Sequence, residues 1–330
     1  MPNWSLVSYH LPNDSPRHDS PHHDSPHDDS PRDVRVGVLQ LDGTVRALDG
    51  FTGRTLLEVI DDWQATADEL RGLDIATLPV VANARLEAPL AYPRKIICAG
   101  ANYYAHLAEM GVPRPDPVGA PYFFLKPPTT TVIGPADAIR LPDRDGRRID
   151  WEAELGVIIG STARHIGPDQ AADHIAGYVV LNDVTSRDLL ARDDAVAPPF
   201  GFDWTSAKGD DTFCPMGPGI TPAWFVPDPQ NVHIRLSVNG VVKQDSSTAD
   251  MINSVYQVVS AASRLMTLEP GDVIATGCPA GVGAPRGDFL QPGDEVVVEI
   301  EGLGSLRNPV VDGRTAHTSS AVSAALGRTA

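Results

Sequence analysis

Hydrophobic positions along this chain fall into short runs cut by glycine and proline rather than into long helical stripes. Residues 95–99, 122–125, 155–159 and 178–181 have the length and composition of buried strands. Strands are also expected at 232–238, 272–275 and 295–300, with alternation resuming towards the end of the chain. Two hairpins are predicted, one turning at Asp42-Gly43 and one at Asn239-Gly240. Helical periodicity covers 55–70. One long helix is predicted over 249–265, entered from Ser246-Ser247-Thr248, and a short one over 103–110. The pattern is that of a strand-rich α+β protein, not an alternating βαβ one.

The first 33 residues break the pattern. Asp-Ser-Pro recurs at Asp14, Asp19, Asp24 and Asp29, with His18, His22, His23 and His27 between the copies. Proline every fifth residue forbids helix and little there is apolar, so a disordered tail is expected over 1–33. Its histidines, at most weak chelators, are read as incidental to the chemistry. A small α+β domain is then expected over 34–90, a catalytic domain over 91–311 and a second disordered tail over 312–330.

A net charge of −17 argues against nucleic acid or an anionic membrane as partner. No run of about twenty apolar residues exists to span a bilayer, and the N-terminus lacks the features of a secretory signal. Cys98, Cys214 and Cys278 are scattered and odd in number, which fits a reducing compartment. A soluble cytoplasmic protein is expected.

The chemistry-bearing residues sit where strands end. Asp150-Trp151-Glu152-Ala153-Glu154 runs into the 155–159 strand, and Asn182-Asp183 closes the 178–181 strand. Side chains alternate faces along a strand, so Glu152 and Glu154 point the same way. Three carboxylates at core strand ends repel one another unless something positive lies between them. A hard divalent cation is the simplest such group, and a solvated acidic strand end is the plain alternative.

On the 103–110 helix His106 and Glu109 share a face at i,i+3. The carboxylate would fix the imidazole tautomer and raise its basicity, as a general base for water requires; an ordinary surface ion pair has the same spacing. Gly100 and Gly111 at its ends would let this segment move as a lid. Lys208 sits among glycine and acids, solvated unless its loop folds over the acidic cluster, where it could meet a substrate carboxylate or enolate. The stretch from Thr276 and Gly277 to Gly283 either presents backbone N–H groups to an anion or is a tight turn. It lacks the P-loop ending, and no Gly-x-Ser-x-Gly elbow occurs, which argues against nucleotide binding and a serine hydrolase.

In their order these segments resemble the fumarylacetoacetate hydrolase family. The resemblance is carried by Asn-Tyr-x-x-His-x-x-Glu at 102–109, Phe-Leu-Lys-Pro-Pro at 124–128 and Glu-x-Glu-Leu at 152–155. It continues in Asn-Asp-Val-Thr-Ser-Arg-Asp at 182–188, Asp-Thr-Phe-Cys-Pro at 211–215 and Thr-Gly-x-Pro-Ala-Gly-Val-Gly at 276–283. It implies a mixed β-sandwich roll, a homodimer, and a Mg²⁺, Mn²⁺ or Ca²⁺ ion held by Glu152, Glu154 and Asp183. His106 with Glu109 would activate water on a lid, and Lys208 would balance developing charge. Thr276 and Gly277 would hold a substrate carboxylate. Asn102, Tyr103 and Arg187 are further substrate-binding candidates, with Tyr104 and Phe124, by proximity to the motifs. Two departures stand out: Asp210 adds an acid beside Lys208, and Cys278 replaces the usual threonine.

The reaction implied is hydrolysis of a C–C bond in an acylpyruvate-like diketo acid, with the ion making the pyruvate enolate an acceptable leaving group. Isomerisation or decarboxylation of a related keto acid would use the same site without an attacking water. A metal-stabilised binding protein without catalysis is the rival of another class, and it would need neither the His-Glu pair nor Lys208.

Overall fold

A computed structural model describes residues 4–12 and 33–313. Its centre is the antiparallel pair Ala153–Ile159 and Ile175–Asn182, every residue of which is buried. Their sequences are nearly continuous apolar runs because both faces of this pair are covered. Leu155, Val157, Ile159 and Val180 face one core, while Ile158, Val179 and Leu181 face another. Burying each such side chain stabilises the fold by about 1.5–3 kcal/mol.

Around this pair grows an eleven-stranded mixed sheet. On one side lie Val273–Ala275, Ile96–Gly100 and the edge strand Tyr122–Lys126. On the other lie Cys214–Pro222, Trp4–His10, Arg35–Gln40 and Val45–Ala47. A five-stranded sheet, Val241–Ser247, His233–Val238, Glu295–Ile300, Gly304–Asp312 and Ile139–Leu141, packs on the first core through Ile234, Leu236, Val296 and Val298. The strand-rich α+β architecture expected from the sequence is therefore present, with the first core between two sheets.

Four expectations change. Trp4–His10 is not part of a disordered tail: all seven residues are buried, Leu6 pairs with both Val38 and Ile220, and Trp4 packs edge-on against Trp224 and Phe225. The apolar alternation of this segment precedes the proline repeat, so the polar composition of 1–33 as a whole hid it. The repeat itself lies outside the described residues. Second, the 34–90 region continues the main sheet through Trp4–His10, and Leu56–Asp61 and Trp63–Arg71 cover that sheet's second core. Third, the long helix is Val255–Leu265, capped by Ser254 with Gln257 in a reciprocal capping box; Thr248–Asp250 is a separate turn. Fourth, Asp312 ends a strand, and the expected second tail beyond residue 313 lies outside the described residues.

Candidate active site and metal centre

Strand pairing brings the acids together. Asn182 Oδ1 accepts the Glu152 amide at 3.0 Å, and Glu152 O accepts the Asp183 amide at 2.9 Å. These bonds fix the ends of the two central strands against each other. Glu152, Glu154 and Asp183 are all buried, as the pairing of three acidic strand ends requires.

Two lysines and an arginine hold the charge. Lys208, the last residue of the helix Trp204–Lys208, is 1% exposed. Its Nζ donates to Glu152 Oε2 at 2.9 Å and to Asp183 Oδ2 at 2.7 Å. Lys126 Nζ donates to Asp183 Oδ1 at 2.6 Å. Arg187 bridges Asp150 and Glu152, its Nε 2.8 Å from Asp150 Oδ2 and its Nη2 2.7 Å from Glu152 Oε1. Burial would raise the Glu152 carboxyl, but Lys208 and Arg187 outweigh it and hold the group at about 2. Glu154 is the opposite case: burial, then Asp183 and Glu152, push it well above the usual carboxylate range. Its Oε2 accepts the Gly277 amide at 2.6 Å, while Oε1 receives no donor among the described residues.

His106 and Glu109 come together as their spacing predicted, with His106 Nδ1 2.6 Å from Glu109 Oε1 on the helix Tyr104–Glu109. Glu109 is also tied to the following loop, accepting the Gly281 amide at 3.0 Å. Burial works to raise Glu109, yet His106 and the Gly281 amide keep it below its ordinary value. The pair is close enough to the acids for His106 to help lower Glu152. Asn102 fastens the segment down: its amide donates to Asn253 O and Thr276 O and accepts from the Asn253 backbone. These bonds tie the 102–109 segment to Asn253, Thr276 and the loop at Gly281.

The structure gives the other site candidates partners within the protein. Thr276 Oγ1 gives its one proton to Leu155 O at 2.8 Å, and the Gly277 amide goes to Glu154. Tyr103 lies in the core, fully buried, and Phe124 stacks on Trp204 at 4.8 Å. Arg187 spends its contacts on Asp150 and Glu152. Asp210 does not crowd Lys208; it accepts from Arg144 at 3.1 Å and Ser186 at 3.0 Å.

Two residues escaped sequence reasoning. Lys126 lies inside the Phe-Leu-Lys-Pro-Pro motif, but a lysine in a strand reads as a solvated edge residue. In the sequence Asp150 reads only as the start of the acidic run. It takes the amides of Gly283 at 2.6 Å and Ala284 at 3.0 Å as well as Arg187, and so anchors the end of the 276–283 loop beside Glu152.

The donor set suits a hard divalent ion, because carboxylate oxygens converge and Glu154 has an oxygen to offer where negative charge is already in excess. Ligand atoms of Glu152, Glu154 and Cys278 all lie within 4.8 Å of one another. Asp183 instead has both oxygens engaged by Lys126 and Lys208. A separate cavity of about 720 Å³, lined by Trp4, Arg46, Leu70, Arg71, Trp224 and Phe225 among others, shares no residue with this site.

Residues 95–311 match the fumarylacetoacetate (FAA) hydrolase C-terminal family. The chain belongs to the fumarylacetoacetate hydrolase family. A human relative named oxaloacetate tautomerase FAHD2B, mitochondrial, is 38% identical over 279 residues, covering 83% of this chain and 84% of its own. A maleylpyruvate hydrolase from Sphingobium sp. SYK-6, solved with manganese(II) and pyruvate, matches with a TM-score of 0.69 and 31% identity over 84% of this chain and 96% of its own. A probable 2-hydroxyhepta-2,4-diene-1,7-dioate isomerase from Mycobacterium abscessus matches at 0.70 and 32%, over 84% and 95%. The fold is thus that of a family of enzymes whose names span hydrolase, isomerase and tautomerase. No helix among the described residues is long and apolar enough to cross a membrane. The human relative's name places it in mitochondria, so a cytoplasmic location stays an expectation for this chain.

Proposed function

We propose that the chain is a divalent-metal-dependent hydrolase cleaving a C–C bond in an acylpyruvate-like diketo acid. The observation that carries this reading is the buried His106, paired with half-buried Glu109 and set against Glu152, Glu154, Asp183 and Lys208. Glu152, Glu154 and Asp183 would hold Mg²⁺, Mn²⁺ or Ca²⁺. Such an ion, when bound, draws charge from a 2-oxo acid and makes its enolate a better leaving group.

The protein's own groups supply the proton chemistry. With Glu109 ionised, His106 Nδ1–H donates to it, which leaves the Nε2 lone pair to take a proton from water attacking the distal carbonyl. The imidazolium so formed faces Glu109 and then returns its proton to the departing carbon. The ammonium of Lys208 offsets negative charge that grows beside the acids. Burial of His106 keeps bulk water from competing for that proton.

A second reading, tautomerisation of an oxaloacetate-like acid, is favoured by the name of the human relative. His106 would then take its proton from the carbon next to the keto group, and no water would be consumed. Exposed Tyr122 and Leu125 on an edge strand support the homodimer expected of the chain.

The test is to incubate chelator-stripped and Mn²⁺-loaded protein with acetylpyruvate and with oxaloacetate and to identify products. Metal-dependent acetate plus pyruvate establishes the hydrolase. Faster keto–enol exchange of oxaloacetate without cleavage of acetylpyruvate establishes the second reading. Carbon dioxide from oxaloacetate alone would mark a decarboxylase, and turnover of neither would remove both readings.

A further inference from the structure

Cys278 is the one member of the acidic group that a hard-cation centre does not explain. It is 3% exposed and a free thiol, and its sulfur lies within 4.8 Å of ligand oxygens of Glu152 and Glu154. Its position is set by backbone rather than by chance packing. Gly277, immediately before it, has φ +96° and presses so close to Asn102 that a Cβ there would stand 2.7 Å from Asn102 Cβ. The Gly277 amide is meanwhile bonded to Glu154. The thiol is therefore held beside Glu154, a residue 1% exposed whose Oε2 takes the Gly277 amide and whose Oε1 takes no donor among the described residues. Asp183, the third acid of the expected ligand set, has both oxygens engaged by lysines.

We propose that this centre also captures thiophilic divalent ions, such as zinc or cadmium, through Glu152, Glu154 and the sulfur of Cys278. The inference rests on the reading of Glu152 and Glu154 as metal ligands. Hard ions gain little from sulfur, whereas softer ions prefer it, so one centre sorts the two classes by which third ligand it offers. Capture forms a sulfur–metal bond, breaks the S–H bond and releases that proton to solvent, with no change of oxidation state. It leaves both lysine contacts of Asp183 in place, while Glu152 shares with the ion an oxygen that Lys208 or Arg187 also holds. Zinc or cadmium would accordingly occupy a position that competes with the Mg²⁺ or Mn²⁺ form.

The full chain, stripped with a chelator, is titrated with Cd²⁺ while the sulfur-to-cadmium charge-transfer band is followed in the ultraviolet, and with Mn²⁺ followed by loss of the free-ion paramagnetic resonance signal. One equivalent of Cd²⁺ should develop the band in the wild type, and Cys278→Ser should abolish it. The substitution should weaken Cd²⁺ about 10-fold or more while leaving Mn²⁺ affinity within about 3-fold. Mn²⁺ binding by the variant also shows that it folds. If the variant fails to fold, X-ray absorption of wild type with Cd²⁺ decides: a single sulfur neighbour supports the proposal and an all-oxygen environment overturns it. Mn²⁺ binding without a sulfur band in the wild type overturns the proposal but spares the metal centre. A band that survives in Cys278→Ser assigns the sulfur to Cys98 or Cys214 and also overturns it. Binding of neither ion removes the metal centre itself.

Discussion

Replacing Lys208 by Met removes a charge while nearly keeping a volume, which isolates what the ammonium does. Nζ stands 2.9 Å from Glu152 Oε2 and 2.7 Å from Asp183 Oδ2, and the residue is 1% exposed. At an effective dielectric of about 20, each contact is worth about 6 kcal/mol. Against this stand several kcal/mol recovered when a buried ammonium no longer has to leave water. Lys126 and Arg187 go on compensating the acids from the other side. The balance, for a buried pair that loses one partner, is a loss of about 3–5 kcal/mol. The depression of Glu152 to about 2 points to the same scale, about 3 kcal/mol. Urea unfolding of chelator-treated protein at neutral pH would measure the loss, which corresponds to a fall in melting temperature on the order of 10 °C. Adding Mn²⁺ to the variant should recover part of it, since an ion that binds only the folded form replaces the missing charge. A variant within about 1 kcal/mol of wild type without metal would refute the reasoning, because exposed lysines behave that way.

Three further outcomes are expected. Leu6→Ala should cost about 2–5 kcal/mol in urea unfolding, because Leu6 is fully buried; a neutral effect would mean that Trp4–His10 contributes nothing to the fold. Glu152 has a folded value far below its ordinary 4.5, so its stabilisation is present above 4.5 and is lost as pH falls towards about 2. Urea midpoints taken between pH 6 and 3 (roughly the accessible part of that window) should therefore decline less steeply for Glu152→Gln than for wild type, and parallel curves would contradict the assignment. Glu154 has the opposite sign: with its folded value raised, its ionisation costs stability as pH rises through that value. Glu154→Gln should then stabilise the metal-free chain at neutral pH by about 1 kcal/mol or more while abolishing Mn²⁺ binding by resonance titration; destabilisation without metal would be the contrary result.

What the sequence disclosed about the site follows from periodicity. Alternation predicted that Glu152 and Glu154 point the same way, and their ligand oxygens do converge within 4.8 Å although Glu152 lies just before the strand; the i,i+3 spacing likewise placed His106 beside Glu109. What it concealed depends on contacts between distant segments. Cys214–Pro222 is an interior strand, yet three prolines and two glycines make its sequence read as loop. An irregular register opposite Tyr178 and Val180 accommodates them. Thr276 and Arg187 carry chemistry-bearing side chains whose partners, Leu155 O and Asp150, were invisible without the fold. Lys126 was hidden for the converse reason. Only the folded chain shows that a strand lysine points inward at Asp183.

The central claim is that His106, oriented by Glu109, moves the proton beside a metal-holding cluster of acids. It is tested most directly by the rate of His106→Ala on acetylpyruvate and oxaloacetate, measured with Mn²⁺ affinity on the same sample. The predicted result is a loss of about 10²–10⁴-fold in kcat on whichever substrate turns over, with Mn²⁺ bound as tightly as by wild type. Full activity in the variant would contradict the account.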